Sequence, residues 1–119
     1  MELIFIYNAK SGLKQSLFDM GHKLFSPKTY PCRLCALTFD TFSENHIWKT
    51  FRATNKAAMV FYHSDEFENH YPNAKYEYPI ILNKSKNVLN VVLSAKELNK
   101  IENVHGLMTQ LKRFTNTTP

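Results

Sequence analysis

Apolar runs separated by polar breaks predict that strands and helices alternate along this chain. Residues 2–7 are apolar and rich in β-prone side chains, which is typical of a buried central strand. The polar residues 8–12 that follow predict a turn. Apolar residues then recur at helical spacing until Pro27, which predicts a helix over residues 12–25. The chain therefore opens as an α/β unit.

The middle of the chain predicts a second helix and a second strand. Ser43 is a favourable N-cap residue, and the apolar residues after it have the spacing of a helix with one buried side. These apolar residues are Ile47, Trp48 and Phe51. Residues 58–63 are strongly β-prone and predict a strand. Residues 36–39 are also apolar and predict either a short strand or an irregular packed loop.

The last third of the chain predicts a short helix, a hairpin and a C-terminal helical segment. Residues 64–66 place a serine before two carboxylates, which favours a helix N-terminus. Two β-prone runs within residues 78–93 flank polar residues 83–87, as in a β-hairpin. Ser94 and Glu97 then have the spacing of a capping box. We therefore predict a helix that begins after Ser94.

Length and composition predict a single α/β domain over residues 1–119. A chain of 119 residues with 44% hydrophobic content can bury a core of its own. No apolar run approaches the roughly 18 residues of a membrane span, and the run at residues 2–7 is too short for a signal peptide. We therefore expect a cytoplasmic protein that does not enter a membrane.

The net charge of +5 raises the question of a nucleic-acid partner. Lysines and arginines are scattered singly, with loose groupings only at residues 84–86 and 112–113. A nucleic-acid-binding face usually clusters its positive charge beside aromatic side chains. The charge distribution therefore argues against nucleic acid as a partner. Nucleotide hydrolysis is not indicated either, because the P-loop pattern is absent from the sequence.

The main candidate for chemistry is the C-x-x-C pair of Cys32 and Cys35, which holds both cysteines of the chain. Two sulfurs at this spacing can form a disulfide and exchange it with a partner, bind one metal ion, or simply pack as small apolar side chains. For redox chemistry, Lys28, Arg33 or His22 could supply the positive charge that stabilises a thiolate. A zinc site would need two more ligands, and no residue lies at a spacing that dictates them. The candidate ligands are His22, His46, His63, His70, His105, Asp19 and Asp40.

The predicted order of elements resembles the thioredoxin and glutaredoxin layout. The resemblance rests on a strand-to-helix start at residues 6–13, a strand that runs into an acidic turn at residues 61–66, and the X-Pro pair at Tyr78 and Pro79. It implies a three-layer α/β sandwich with a cysteine-bearing insertion at about residues 26–55. In that family the matching proline is cis and lies beside the active site, which makes Pro79 a candidate site residue. Pro79 is equally consistent with an ordinary proline at the start of a strand.

The position of the cysteines departs from the thioredoxin pattern. That family carries C-x-x-C directly after the first strand, where the N-terminus of a helix favours the thiolate. This chain has residues 8–12 there, and its cysteines follow the first predicted helix. The chain also resembles a family of small bacterial proteins whose activity is not established. That second likeness rests on the motifs at residues 7–9, 22–27 and 32–38.

These observations predict a thioredoxin-like protein whose Cys32 and Cys35 carry out thiol–disulfide exchange without a cofactor. By analogy with the family, Cys32 is the nucleophile, Cys35 is the resolving thiol, and Pro79 lies beside them. The partner would be another protein's thiol or disulfide. The alternative is a non-enzymatic binding module in which Cys32, Cys35 and His22 hold a metal such as zinc, or in which the cysteines are merely packed.

Overall fold

Four strands form one mixed sheet in the part of the chain that the structure describes. The structure is a computed structural model, and it describes residues 2–8, 32–38 and 44–117. The strands are β1 Glu2–Tyr7, β2 Ala58–His63, β3 Ile80–Ser85 and β4 Val88–Leu93.

The strand order across the sheet is β2-β1-β3-β4. β1 pairs with β2 in parallel, so that Tyr7 lies opposite His63. β1 pairs with β3 in antiparallel fashion, so that Ile6 lies opposite Ile80. β3 and β4 are also antiparallel. Consequently the ends of β1 and β2 and the beginning of β3 meet at one edge of the sheet.

Five helices accompany this sheet within the described residues. They are α1 Arg33–Thr38, α2 His46–Thr54, α3 Ser64–His70, α4 Ala95–Asn99 and α5 Val104–Thr117. None of them is long and apolar enough to cross a membrane. The predicted mixed α/β class is confirmed, and the predicted helix at residues 12–25 lies outside the described residues.

Alternation along β1 divides the core into two layers of side chains. Leu3 and Phe5 face a cluster built with α1, α2, α4 and α5, whose largest member is the fully buried Trp48. Ile4 and Ile6 point to the opposite face and pack against Phe67 of α3. Successive side chains of a strand point to opposite faces, and here both faces are apolar. Helices therefore cover the sheet on both sides, and β1 lies in its interior.

The helices correct three details of the sequence interpretation. Residues 36–39 were expected in a strand or loop, but residues 36–38 belong to α1. The N-cap of α2 is Asn45 rather than Ser43, and its side-chain oxygen accepts a hydrogen bond from the Trp48 N–H at 3.1 Å. Ile47 is 43% exposed rather than buried. The buried side of α2 therefore depends on Trp48, with Phe51 half-buried beside it.

The hairpin is confirmed, but its turn is shorter than predicted. β3 extends through Ser85, which leaves only Lys86 and Asn87 between the strands. Both turn residues have positive φ angles, of 53° and 65°. Two central residues with positive φ define the turn that matches the twist of a two-residue hairpin. The capping box of Ser94 and Glu97 at the start of α4 is also confirmed.

Candidate functional site

Cys32 and Cys35 form a disulfide at the beginning of α1. Their Cα atoms are 5.3 Å apart, a separation that a disulfide spans readily. Cys32 directly precedes the helix, and its carbonyl accepts the first helical hydrogen bond, from Ala36 N–H at 3.0 Å. Its Sγ also accepts a hydrogen bond from the Cys35 N–H at 3.2 Å. The Cys32 side chain therefore acts as the cap of α1, as an oxygen-bearing side chain does elsewhere.

A second backbone N–H binds the same sulfur from the end of β1. The Asn8 N–H donates to Cys32 Sγ at 3.3 Å, across a sequence separation of 24 residues. Asn8 directly follows β1. The cysteine pair therefore lies at the carboxyl end of a central strand, although the sequence places it far beyond that strand. In open α/β sheets this end of the strands is where binding and catalytic groups usually lie.

The two cysteines differ in their exposure to solvent. Cys32 is 1% exposed and belongs to the main core cluster. Cys35 packs against the edge of that cluster and is only half-buried. Leu34 and Leu37 of the same helix are buried and hold α1 against the sheet. The disulfide therefore joins one fully buried cysteine to one that is only partly buried.

Tyr7 connects β1 to the cysteine-bearing helix. Its hydroxyl is hydrogen-bonded to the side chain of Thr38, the last residue of α1. The hydroxyl of Thr38 in turn donates to the Leu34 carbonyl at 2.8 Å. Burial raises the pKa of Tyr7 to about 12, against the smaller lowering effect of the Thr38 hydrogen bond. Tyr7 therefore stays protonated at neutral pH and links the end of the strand to the far end of α1.

An ion pair lies close enough to Tyr7 to affect its titration. The Nε and Nη2 groups of Arg52 each donate a hydrogen bond to the carboxylate of Glu44, and the Nη2–Oε1 distance is 2.7 Å. This side-chain hydrogen bonding lowers the pKa of Glu44. The guanidinium also lies 5.9 Å from the centre of the Phe61 ring. The pair therefore links Glu44, which precedes the N-cap of α2, to the last turn of that helix, where Arg52 also contacts Phe61 of β2.

His63 and Pro79 lie at the same edge of the sheet as the disulfide. The His63 ring is 6.4 Å from the Tyr7 ring, and its Nδ1 lies 2.8 Å from Glu66 Oε1. The hydrogen bonds from the His63 backbone and side chain lower the pKa of Glu66. Pro79 is buried and directly precedes β3, and the Tyr78–Pro79 peptide bond is cis. The sequence left the isomer of this bond open, and the structure shows that it is cis. The role of Pro79 in the site stays a prediction.

The predicted metal ligands are not assembled within the described ranges. Among residues 2–8, 32–38 and 44–117, no three His, Cys, Asp or Glu side chains lie together where they could hold a metal ion. His22, the third ligand of the zinc alternative, lies outside these ranges, as do Lys28, Asp19 and Asp40. Both described cysteines are engaged in the disulfide.

Sequence reasoning identified the two cysteines but missed the residues that position them. Asn8, Tyr7 and Thr38 were assigned only to a turn, a strand and an apolar segment. The one available signal was that Asn8 directly follows a buried strand, a position where polar groups often serve a site. Comparisons of the chain with models of protein families, with curated protein sequences and with solved structures found no match.

Proposed function

We propose that the protein carries out thiol–disulfide exchange through Cys32 and Cys35. The observation that carries this proposal is the disulfide whose Cys32 sulfur accepts two backbone N–H groups. Hydrogen bonds to a charged acceptor are stronger than those to a neutral one. The same two donors therefore favour the Cys32 thiolate, the form in which a cysteine enters or leaves a disulfide.

The chemistry needs no cofactor beyond a partner that carries a thiol or a disulfide. In one direction the reduced pair transfers two electrons to a partner disulfide, which leaves as two thiols while Cys32 and Cys35 become bonded. In the other direction a partner dithiol is oxidised and the pair is reduced. Each half-step is an attack of a thiolate on a sulfur, with the departing sulfur taking the electron pair.

We also propose that the sheet is a variant of the thioredoxin-like arrangement. Three features support this interpretation: the order β2-β1-β3-β4 with β1 and β2 parallel, helices on both faces, and Pro79 directly before β3. The long connection between Asn8 and Cys32 departs from the family pattern, in which the cysteines follow the strand at once. The Asn8–Cys32 hydrogen bond brings the pair to the corresponding end of β1.

Equilibration of the purified protein in glutathione buffers of graded potential tests the proposed chemistry. Thiol counting should report two thiols in reducing buffer and none in oxidising buffer, with a reversible transition between them. The reduced protein should also reduce a peptide disulfide. A Cys32→Ser/Cys35→Ser double variant, checked for folding by circular dichroism, is the control and should do neither.

Three outcomes would contradict the redox proposal. One is a pair that cannot be reduced in the folded protein. Another is activity that persists in the double serine variant. The third is stoichiometric zinc in the reduced protein that is lost to a chelator together with the native fold, because structural zinc sites contribute folding free energy directly. That last result would establish the metal-binding alternative.

A further inference from the structure

The two sulfurs of the disulfide lie in unequal surroundings. Cys32 is 1% exposed, and its sulfur accepts hydrogen bonds from the N–H groups of Asn8 and Cys35. Cys35 is half-buried. The Cys35 N–H lies 3.2 Å from the Cys32 sulfur, so this donor favours negative charge on Cys32. These surroundings favour attack on the sulfur of Cys35 and departure of the sulfur of Cys32 as the thiolate.

The choice of end follows from how an exchange reaction proceeds. An attacking thiolate must approach one sulfur along the S–S axis, and the other sulfur leaves with the electron pair. Access decides which sulfur is attacked, and stabilisation of the thiolate decides which one leaves readily. Both factors act in the same sense here, because the half-buried cysteine is Cys35 and the sulfur with two N–H donors is that of Cys32.

We propose that Cys35 is the cysteine that forms the mixed disulfide with the partner, and that Cys32 is the internal thiolate that releases it. This inference rests on the proposed function and reverses the order that the thioredoxin resemblance implies. On reduction of the protein, a partner thiolate attacks Cys35 Sγ, the S–S bond breaks, and Cys32 Sγ departs as the thiolate. A second partner thiolate then attacks the partner's sulfur in the mixed disulfide, and Cys35 leaves as a thiolate that takes a proton from water.

The reverse direction uses the same two positions. The Cys35 thiolate attacks a partner disulfide, and one partner sulfur departs as a thiolate. The Cys32 thiolate then attacks Cys35 Sγ, the second partner sulfur departs, and the internal disulfide is restored. Two electrons pass from the cysteine pair to the partner, so no further oxidant or reductant is needed.

The sequence offers a direct way to locate the mixed disulfide. Arg33 lies between the two cysteines, so trypsin separates them into a peptide of residues 29–33 and a peptide of residues 34–49. The oxidised wild-type protein is treated briefly with reduced glutathione, and N-ethylmaleimide then blocks every free thiol. We expect glutathione on the peptide with Cys35 and N-ethylmaleimide on the peptide with Cys32. Glutathione mainly on Cys32, or equally on both, would overturn the inference.

Single variants measure the same preference as a rate. Cys32→Ser keeps only the half-buried thiol, and Cys35→Ser keeps only the buried one. Above the pH at which both thiols are ionised, access dominates, and we expect oxidised glutathione to react at least about tenfold faster with Cys32→Ser than with Cys35→Ser. Equal rates, or a faster reaction of Cys35→Ser, would contradict the proposal. Circular dichroism of both variants excludes unfolding as the source of reactivity.

The experiments distinguish failure of the proposed order of the cysteines from failure of the redox function itself. If the wild-type pair cycles in glutathione buffer but the mixed disulfide forms on Cys32, the redox function stands and the order proposed here fails. If the wild-type pair does not cycle, the redox function fails as well. Cycling of the pair and the position of the mixed disulfide are therefore determined by separate measurements on the same wild-type protein.

Discussion

The backbone N–H of Asn8 donates a hydrogen bond to Sγ of Cys32 at 3.3 Å, across 24 positions of the sequence. Asn8 directly follows the central strand β1, and Cys32 directly precedes α1, the helix that carries the second cysteine. The contact therefore makes a strand terminus part of the environment of the disulfide. Its donor is a main-chain group, so only a substitution that removes the N–H can delete it.

Asn8→Pro is expected to make the disulfide harder to reduce. Proline has no N–H, and the extended conformation it favours for the preceding residue suits Tyr7 at the end of a strand. Where Cys32 is ionised, the reduced protein loses a hydrogen bond to a charged group, worth about 1.5 to 3 kcal/mol. For a two-electron couple this corresponds to a reduction potential lower by roughly 30 to 60 mV. Equilibration with glutathione buffers measures the shift.

Asn8→Ala is the matched control for that substitution. It removes the same side chain but keeps the N–H, so its reduction potential should stay close to the wild-type value. Equal potentials in Asn8→Pro and the wild-type protein, with the fold intact by circular dichroism, would show that this donor does not stabilise the thiolate. A shift of the same size in Asn8→Ala would assign the effect to the side chain.

Tyr7 is expected to make the free energy of unfolding fall in alkaline solution. Burial raises its pKa from 10.0 to about 12 in the folded protein. Between these values the unfolded chain has released the phenolic proton while the folded protein retains it, so stability falls as the pH rises. A shift of this size corresponds to about 2 to 3 kcal/mol, fully present below pH 10 and lost as the pH rises through about 12.

Tyr7→Phe isolates this contribution from that of other tyrosines. Burial also raises the pKa of Tyr62 and of Tyr78, but both remain in the variant. At neutral pH the variant should be less stable by about 1 kcal/mol, because the hydrogen bond to Thr38 is lost. Urea denaturation should then show the difference between the two proteins shrinking or reversing above pH 10. A difference that does not change with pH would contradict the assigned titration.

Elements with a strong local pattern could be predicted from the sequence. β2 over Ala58–His63 matches its prediction at both ends, and the capping box of Ser94 and Glu97 forms as expected. Trp48 is fully buried, as its place on an amphipathic helix indicated. These features depend on neighbouring residues, so the information that determines them lies within a few positions of the sequence.

The arrangement around the cysteines could not be predicted in this way. Helix α1 has only six residues, and a helix of that length depends on packing and capping more than on propensity. Its cap is a sulfur, and its position is set by Asn8 and by burial of Leu34 and Leu37. The cap is a local contact, but the Asn8 contact and the burial of the two leucines depend on chain folding between distant positions. A sequence pattern could identify the reactive pair but not the strand end on which it lies.

The hairpin turn offers a test of the backbone that supports the sheet. Lys86 and Asn87 both adopt positive φ angles, a conformation that a lysine adopts at a cost. The pair Asn-Gly is the preferred sequence for such a turn. Lys86→Asn combined with Asn87→Gly should therefore raise the free energy of unfolding by about 1 kcal/mol in urea denaturation. Lys86→Val, which adds a β-branched residue at the same φ, is the control and should lower it.

The ion pair of Glu44 and Arg52 is expected to stabilise the protein in a pH-dependent way. The side chain of Glu44 is 18% exposed and that of Arg52 is 34% exposed, so solvent screens the pair only in part. A double-mutant cycle of Glu44→Gln and Arg52→Gln should give a coupling free energy of about 1 kcal/mol between the two side chains. The hydrogen bond from Arg52 holds the pKa of Glu44 below its ordinary value of 4.5. The unfolded chain therefore binds the proton first as the pH falls, and the stability from this pair is present above pH 4.5 and lost in more acidic solution.

Urea denaturation at graded pH should show a smaller loss of stability in acid for Arg52→Gln than for the wild-type protein. Arg52→Lys keeps the charge but not the paired hydrogen bonds, and should fall between the two. Parallel acid profiles in all three proteins would mean that the pair does not contribute to stability.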